Sequence, residues 1–78
     1  MNQPKQTRPE PPPARTHTVV SGDTLWGIAQ RFLGAGRRYP EIYIANQDAI
    51  EGEARRRGRP SSENGRWIWP GTVLVIPT

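Results

Sequence analysis

The 78-residue sequence contains no cysteine and a single histidine, His17. Without thiols it has no disulfide framework, no thiolate metal site and no cysteine nucleophile. One histidine makes a metal centre unsupported, so neither a metal nor a cofactor is expected. No stretch of about 18 apolar residues occurs, which excludes a membrane-inserted helix. Aromatic residues are few, with three Trp, two Tyr and one Phe. A chain of this length has room for one domain. It buries only about 60% of its unfolded surface, so its own apolar contacts must hold it. A stability on the order of 3–5 kcal/mol is expected.

The charge is basic, with 11 Lys and Arg against 7 Asp and Glu, for a net +4. Half of the surplus sits in residues 1–15, where Lys5, Arg8 and Arg15 face Glu10 alone. The densest run, Arg55-Arg56-Arg57 with Arg59, stands beside Glu51 and Glu53. A nucleic-acid surface usually gathers basic residues on one face with interleaved aromatics. This run reads first as a solvated helix face, with attraction to anionic wall polymers or nucleic acid as the alternatives. No nucleic-acid partner is expected.

Residues 1–15 carry five prolines and no large apolar side chain after Met1. Such a segment cannot bury enough surface to offset its ordering entropy, so it reads as a flexible linker or tail that joins the domain to a larger protein. It also lacks the apolar core of a secretory leader. The expectation is either a piece of a larger exported protein or a chain that reaches its target without such a leader.

From residue 16 the pattern changes. Thr16-His17-Thr18-Val19-Val20 is β-branched and reads as a strand, broken by Ser21-Gly22-Asp23. Leu25, Ile28, Ala29 and Phe32 then recur at the spacing of a half-buried helix. Asp23 or Thr24 caps its start and Gly34 ends it. Pro40 and Glu41 fit the opening of a second helix running to Gly58. Its apolar side holds Tyr39, Ile42, Tyr43 and Ile50, with Ala45 and Ala49 close by. Glu51–Arg55 and Glu53–Arg57 have i,i+4 spacing. Residues 58–66 are polar and turn-rich, and Thr72-Val73-Leu74-Val75-Ile76 reads as a last strand. Strand, helix, helix, strand makes an α+β domain over 16–78, with a two-stranded antiparallel sheet packed against two helices on one face.

Three stretches in this order resemble a LysM (lysin motif) domain. They are Thr18-Val19-Val20-Ser21-Gly22-Asp23-Thr24-Leu25-Trp26-Gly27-Ile28-Ala29, then Ile42-Tyr43-Ile44-Ala45-Asn46, then Ile68-Trp69-Pro70-Gly71-Thr72-Val73-Leu74-Val75-Ile76-Pro77. The departure from the family pattern is residues 51–67, which are longer and richer in arginine than the usual turn. The resemblance implies binding of N-acetylglucosamine-containing polymers, peptidoglycan or chitin-type oligosaccharides. It implies a groove with Gly22, Asp23, Thr24 and Leu25 on one wall and Ile68, Trp69, Pro70 and Gly71 on the other.

Elementary chemistry is compatible with that implication. An N-acetylglucosamine unit offers amide and hydroxyl groups at its edges and apolar C–H faces, so a shallow groove of backbone polar groups and apolar side chains suits it. Each residue also has a plain structural reading. Asp23 reads as a helix cap, Gly22 and Gly71 as turn residues, and Leu25 as core. Trp26 and Trp67 are divided between sugar stacking and partial burial, and Trp69 is the preferred aromatic contact. Asn46 is expected to tie down loop backbone. His17 is expected to be an ordinary strand residue.

Catalysis has little support. Glycoside hydrolysis needs two carboxyls about 5–9.5 Å apart across a cleft, and nothing in the spacing pairs Asp23 with a second acid. No serine–histidine arrangement or phosphate loop is present. The expected function is a non-catalytic module for attachment to bacterial cell wall. The alternative is an assembly adaptor of a phage tail or related injection apparatus.

Overall fold

The computed structural model describes residues 15–77. The Pro-rich stretch read as a linker lies, up to residue 14, outside the described residues, as does residue 78. Strand β1 (Arg15–Thr18) pairs antiparallel with strand β2 (Val73–Ile76), in the register Arg15↔Ile76 to Thr18↔Val73. The ladder continues past β1, where the Val19 N–H donates to Thr72 O and the Gly71 N–H donates to Val19 O, both at 2.8 Å. Alternation in β2 turns Leu74 and Ile76 into the core and leaves Val73 and Val75 outside. The first strand was expected to end at Val20. The assigned strand instead ends at Thr18, and Val19, still bonded to Thr72 and Gly71, is a buried core residue.

Helix α1 (Leu25–Leu33) buries Leu25, Ile28 and Ala29, with Phe32 and Leu33 packed partly against the core. Its cap is Thr24, whose Oγ1 accepts from the Gly27 N–H at 3.0 Å. Of the two candidate caps, Asp23 serves elsewhere: its carboxylate accepts from the Val20 N–H at 3.0 Å and meets His17 Nε2 at 2.8 Å. His17 is therefore no idle strand residue, because it closes the turn between β1 and α1.

A 3-10 turn over Gly36–Arg38 leads into helix α2 (Tyr39–Ala45), followed by helix α3 (Gln47–Arg56). The sequence reading had one helix here. The break is Asn46, whose backbone leaves helical geometry at φ −128°, ψ 19°. Its buried side chain donates to Ile42 O at 2.8 Å and also pairs with the backbone of Val75. Asn46 thus ties a strand to a helix junction, where loop backbone was expected. Ile42, Ile50 and Ala54 are buried, whereas Ala45 and Ala49 are exposed. Ile42 and Ile50 join Val19, Leu25, Ile28, Ala29, Leu74 and Ile76 in one core between ribbon and helices.

The two expected ion pairs on α3 part company. Glu53 meets Arg57 at 2.8 Å, as its spacing predicts, and also Arg56 at 2.5 Å. Glu51 does not pair with Arg55 among the described contacts. Its carboxylate turns inward, accepting from the Tyr43 hydroxyl at 2.7 Å, from the Ser62 N–H at 2.8 Å and from the Ser62 hydroxyl. Three specific donors in a partly buried site outcompete a solvated i,i+4 pair worth only about 0.2–0.5 kcal/mol.

Candidate functional site

That Glu51 clamp shapes the loop before β2. Ser62 is fully buried, and its hydroxyl also accepts from the Gly65 N–H at 2.9 Å. Between them the chain turns sharply: Glu63, Asn64 and Gly65 all have positive φ, at 56°, 60° and 87°. Asn tolerates this region and Gly prefers it, but Glu63 there is uncommon and must be held by its surroundings. At Gly65 even a methyl group is barred, because a Cβ would overlap the Leu25 side chain and crowd Tyr43.

The loop so fixed forms one wall of an open groove of about 460 Å³. Its lining is Thr24, Leu25, Trp26 and Tyr39 on the helix side and Glu63, Asn64, Gly65 and Arg66 on the loop side. A neighbouring depression of about 370 Å³ shares Tyr39 and Asn64 and continues along Pro40, Tyr43, Ile44 and Gln47. Trp26 is 56% exposed although it sits on a core-bearing helix, and its ring lies 6.2 Å from that of Tyr39. It rests against Gly36, where any Cβ would overlap the indole. Ile44, 70% exposed, stands at the far end.

The residues proposed from sequence are distributed as follows. Thr24 and Leu25 line the groove. Gly22 is an exposed turn residue, and Asp23 is bound to His17 and Val20. Ile68 packs against the core and Trp69 is partly buried, with the Arg57 guanidinium 5.6 Å from its ring centre. Pro70 and Gly71 line a different depression, with Ala49, Glu53 and Arg56. Gly22 and Gly71 have φ of 92° and 93°, so turn geometry favours glycine at both, and the space beside each is open. The wall facing Thr24 and Leu25 is thus made by residues 63–66, ahead of the Ile68–Gly71 stretch. Tyr39 was read only as part of an apolar helix side, and Glu63, Asn64, Gly65 and Arg66 only as part of a polar turn-rich loop. The Asn-Gly pair was the available signal, since it marks a tight turn.

The electrostatics are mild. Hydrogen bonds from Ser62 and Tyr43 hold the Glu51 carboxyl below its usual range, and the same contact pushes the Tyr43 phenol up. The Val20 amide and His17 lower Asp23 in the same way. Glu63 and Arg66 offset each other on the groove's polar wall. Among the described residues no group of three His, Asp or Glu side chains is placed to hold a metal ion. No helix among them is long and apolar enough to cross a membrane. The groove therefore presents apolar ring surface and one charge of each sign.

A two-stranded ribbon backed by short helices, with an open amphipathic groove beside the first helix, defines a small α+β binding module. The family model described as LysM domain matches residues 17–48, from β1 through α1 and α2 to the start of α3. Over those residues the chain is similar to the LysM domain family. Such domains are in general binding modules for N-acetylglucosamine-containing glycans, typically non-catalytic, and usually part of wall-associated or extracellular proteins. Among curated proteins, the uncharacterized protein YqbP of Bacillus subtilis (strain 168) is 37% identical over 73 residues, which is 94% of this chain. The chain spans 32% of that relative's length. No solved structure matches it.

Proposed function

We propose that this domain is a non-catalytic anchor that holds its protein to bacterial peptidoglycan, with the glycan lying in the groove between Thr24–Trp26 and Glu63–Arg66. The observation that carries this is the pairing of an exposed aromatic wall, Trp26 beside Tyr39, with a loop hydrogen-bonded to Glu51 of α3 and packed against Leu25 of α1. Sugar C–H faces pack on the rings, while acetamido and hydroxyl groups meet the backbone of the loop. Preorganisation by Ser62 and Glu51 reduces the entropy lost on binding. Residues 1–14, by composition, serve as a linker to the remainder of a larger protein, and the site of action is the cell wall.

Few side chains line the groove, so a single domain is expected to bind weakly, roughly 10 μM to 1 mM, and to gain strength by repetition. The test is titration with chitooligosaccharides and muropeptides, read by backbone amide shifts. Shifts at Thr24, Trp26, Asn64 and Gly65 are expected, with stronger response to muropeptides. Trp26→Ala should reduce affinity about tenfold while leaving the fold intact, since its side chain is largely outside the core. No response to either ligand at millimolar concentration defeats the glycan reading and leaves that of an assembly adaptor.

A further inference from the structure

The arginines of residues 55–66 are not all solvated. Arg56 and Arg57 are engaged by Glu53. Arg59 and Arg66 form no ion pair among the described residues; instead both guanidiniums lie over the Trp67 ring, 4.2 and 5.6 Å from its centre. Arg57 also lies over Trp69, but its Nε is taken by Glu53. A guanidinium on an indole keeps its N–H edges free, in a planar fork that matches paired oxygens of a phosphate. The acids nearby do not cancel this surface. Glu51 is tied to Ser62 and Tyr43, Glu53 is taken up by Arg56 and Arg57, and Glu63 alone remains beside Arg66. The surface also lies outside residues 17–48, which match the family.

We infer that Arg59 and Arg66 on Trp67 form a second binding surface, for a chain of repeating phosphodiesters that carries no bases. The absence of bases follows from the tryptophans: each is partly buried and already engaged by guanidinium, so neither serves as a free platform for stacking a nucleobase. A polyol phosphate polymer needs no such platform. Arg66 also lines the groove, so the two surfaces meet there, and a glycan and an adjacent anionic polymer would be held by the same side of the domain.

The surface is tested with poly(glycerol phosphate) alone, which makes its outcome independent of whether the groove binds glycan. At low salt the polymer should bind, with affinity falling as salt rises. R59Q together with R66Q should weaken it about tenfold or more and make the salt dependence shallower. R56Q removes a charge that Glu53 already offsets, so it should change binding less than R59Q does alone. Oligothymidylate of equal charge should bind no more tightly than the polyol polymer. Absence of polymer binding overturns the inference. So do tighter binding of oligothymidylate and an R56Q effect as large as that of R59Q. Thermal transitions of each variant, expected to match the parent within a few degrees, separate lost contacts from lost fold.

Discussion

Asn46 and Val75 pair as two neighbouring strand residues would. The Asn46 Nδ2 donates to the Val75 carbonyl and its Oδ1 accepts from the Val75 N–H, both at 2.8 Å. A side-chain amide thus occupies the outer edge of β2 where a third strand would lie, and the same Nδ2 reaches Ile42 O at the end of α2. One residue breaks the helix, satisfies the strand edge and sets the angle between them.

Asn46→Ala should therefore be severe. It leaves the partly buried Val75 N–H and carbonyl and the buried Ile42 carbonyl without this partner; a fully buried unsatisfied group costs about 1–3 kcal/mol and a partly solvated one less. A total near 2–4 kcal/mol would consume most of the stability of so small a domain. Urea denaturation checks this, and a variant as stable as the parent would show that β2 does not depend on Asn46.

Ile28 and Phe32 lie on the same helical stripe but not at the same depth. Ile28 is buried among the core residues, whereas Phe32 sits at the rim, with His17 at 5.4 Å and the Arg31 guanidinium 5.0 Å from its ring centre. Ile28→Ala should cost about 2–5 kcal/mol. Phe32→Ala should cost less, because part of its surface is already exposed. Thermal unfolding of the two variants gives the order directly.

Acid should loosen the turn and the clamp. Asp23 and Glu51 are both held below their ordinary values of 3.8 and 4.5, the first by the Val20 amide and His17, the second by Ser62 and Tyr43. A carboxyl with a depressed folded pKa contributes stability that is present above the unfolded value and is lost as pH falls through the folded one. Stability should therefore hold near neutrality and fall below about pH 4.5. Asp23→Asn and Glu51→Gln should each flatten that acid limb while lowering the neutral plateau. A variant whose acid limb parallels the parent's would show that its carboxylate contributes nothing specific.

Removing residues 1–14 should change unfolding free energy by less than about 1 kcal/mol, since their composition offers almost no apolar surface to bury. The cut belongs before Arg15, because that residue pairs with Ile76 in the sheet. A larger loss on truncation would show that the Pro-rich stretch packs on the domain.

Capping offers a narrower check. Thr24→Ala removes the oxygen that binds the Gly27 amide and should cost about 1 kcal/mol. Asp23→Ala leaves that cap untouched, so its effect should appear in the turn, as weaker amide protection at Val20. Hydrogen exchange distinguishes the two.

Local sequence determined the elements. Apolar spacing sets α1, β-branched runs set both strands, and Pro40 opens a helix, because each of these depends on neighbours a few residues away. The order of elements then leaves few ways to bury the apolar faces, which is why the α+β architecture was legible. Partner choice over long separations was not. Glu51 has its i,i+4 arginine in sequence, yet the fold carries Ser62 and Tyr43 to it, and three directed donors prevail over one solvated charge. Asn46 meets Val75 across 29 residues, a contact that no local pattern encodes. The groove wall followed the same logic: residues 63–66 face Leu25 only because the buried Ser62 pulls the loop inward and Gly65 lets it pass against the leucine side chain. Periodicity decides what a segment becomes; which polar groups meet is decided by the packing that brings distant segments within hydrogen-bond reach.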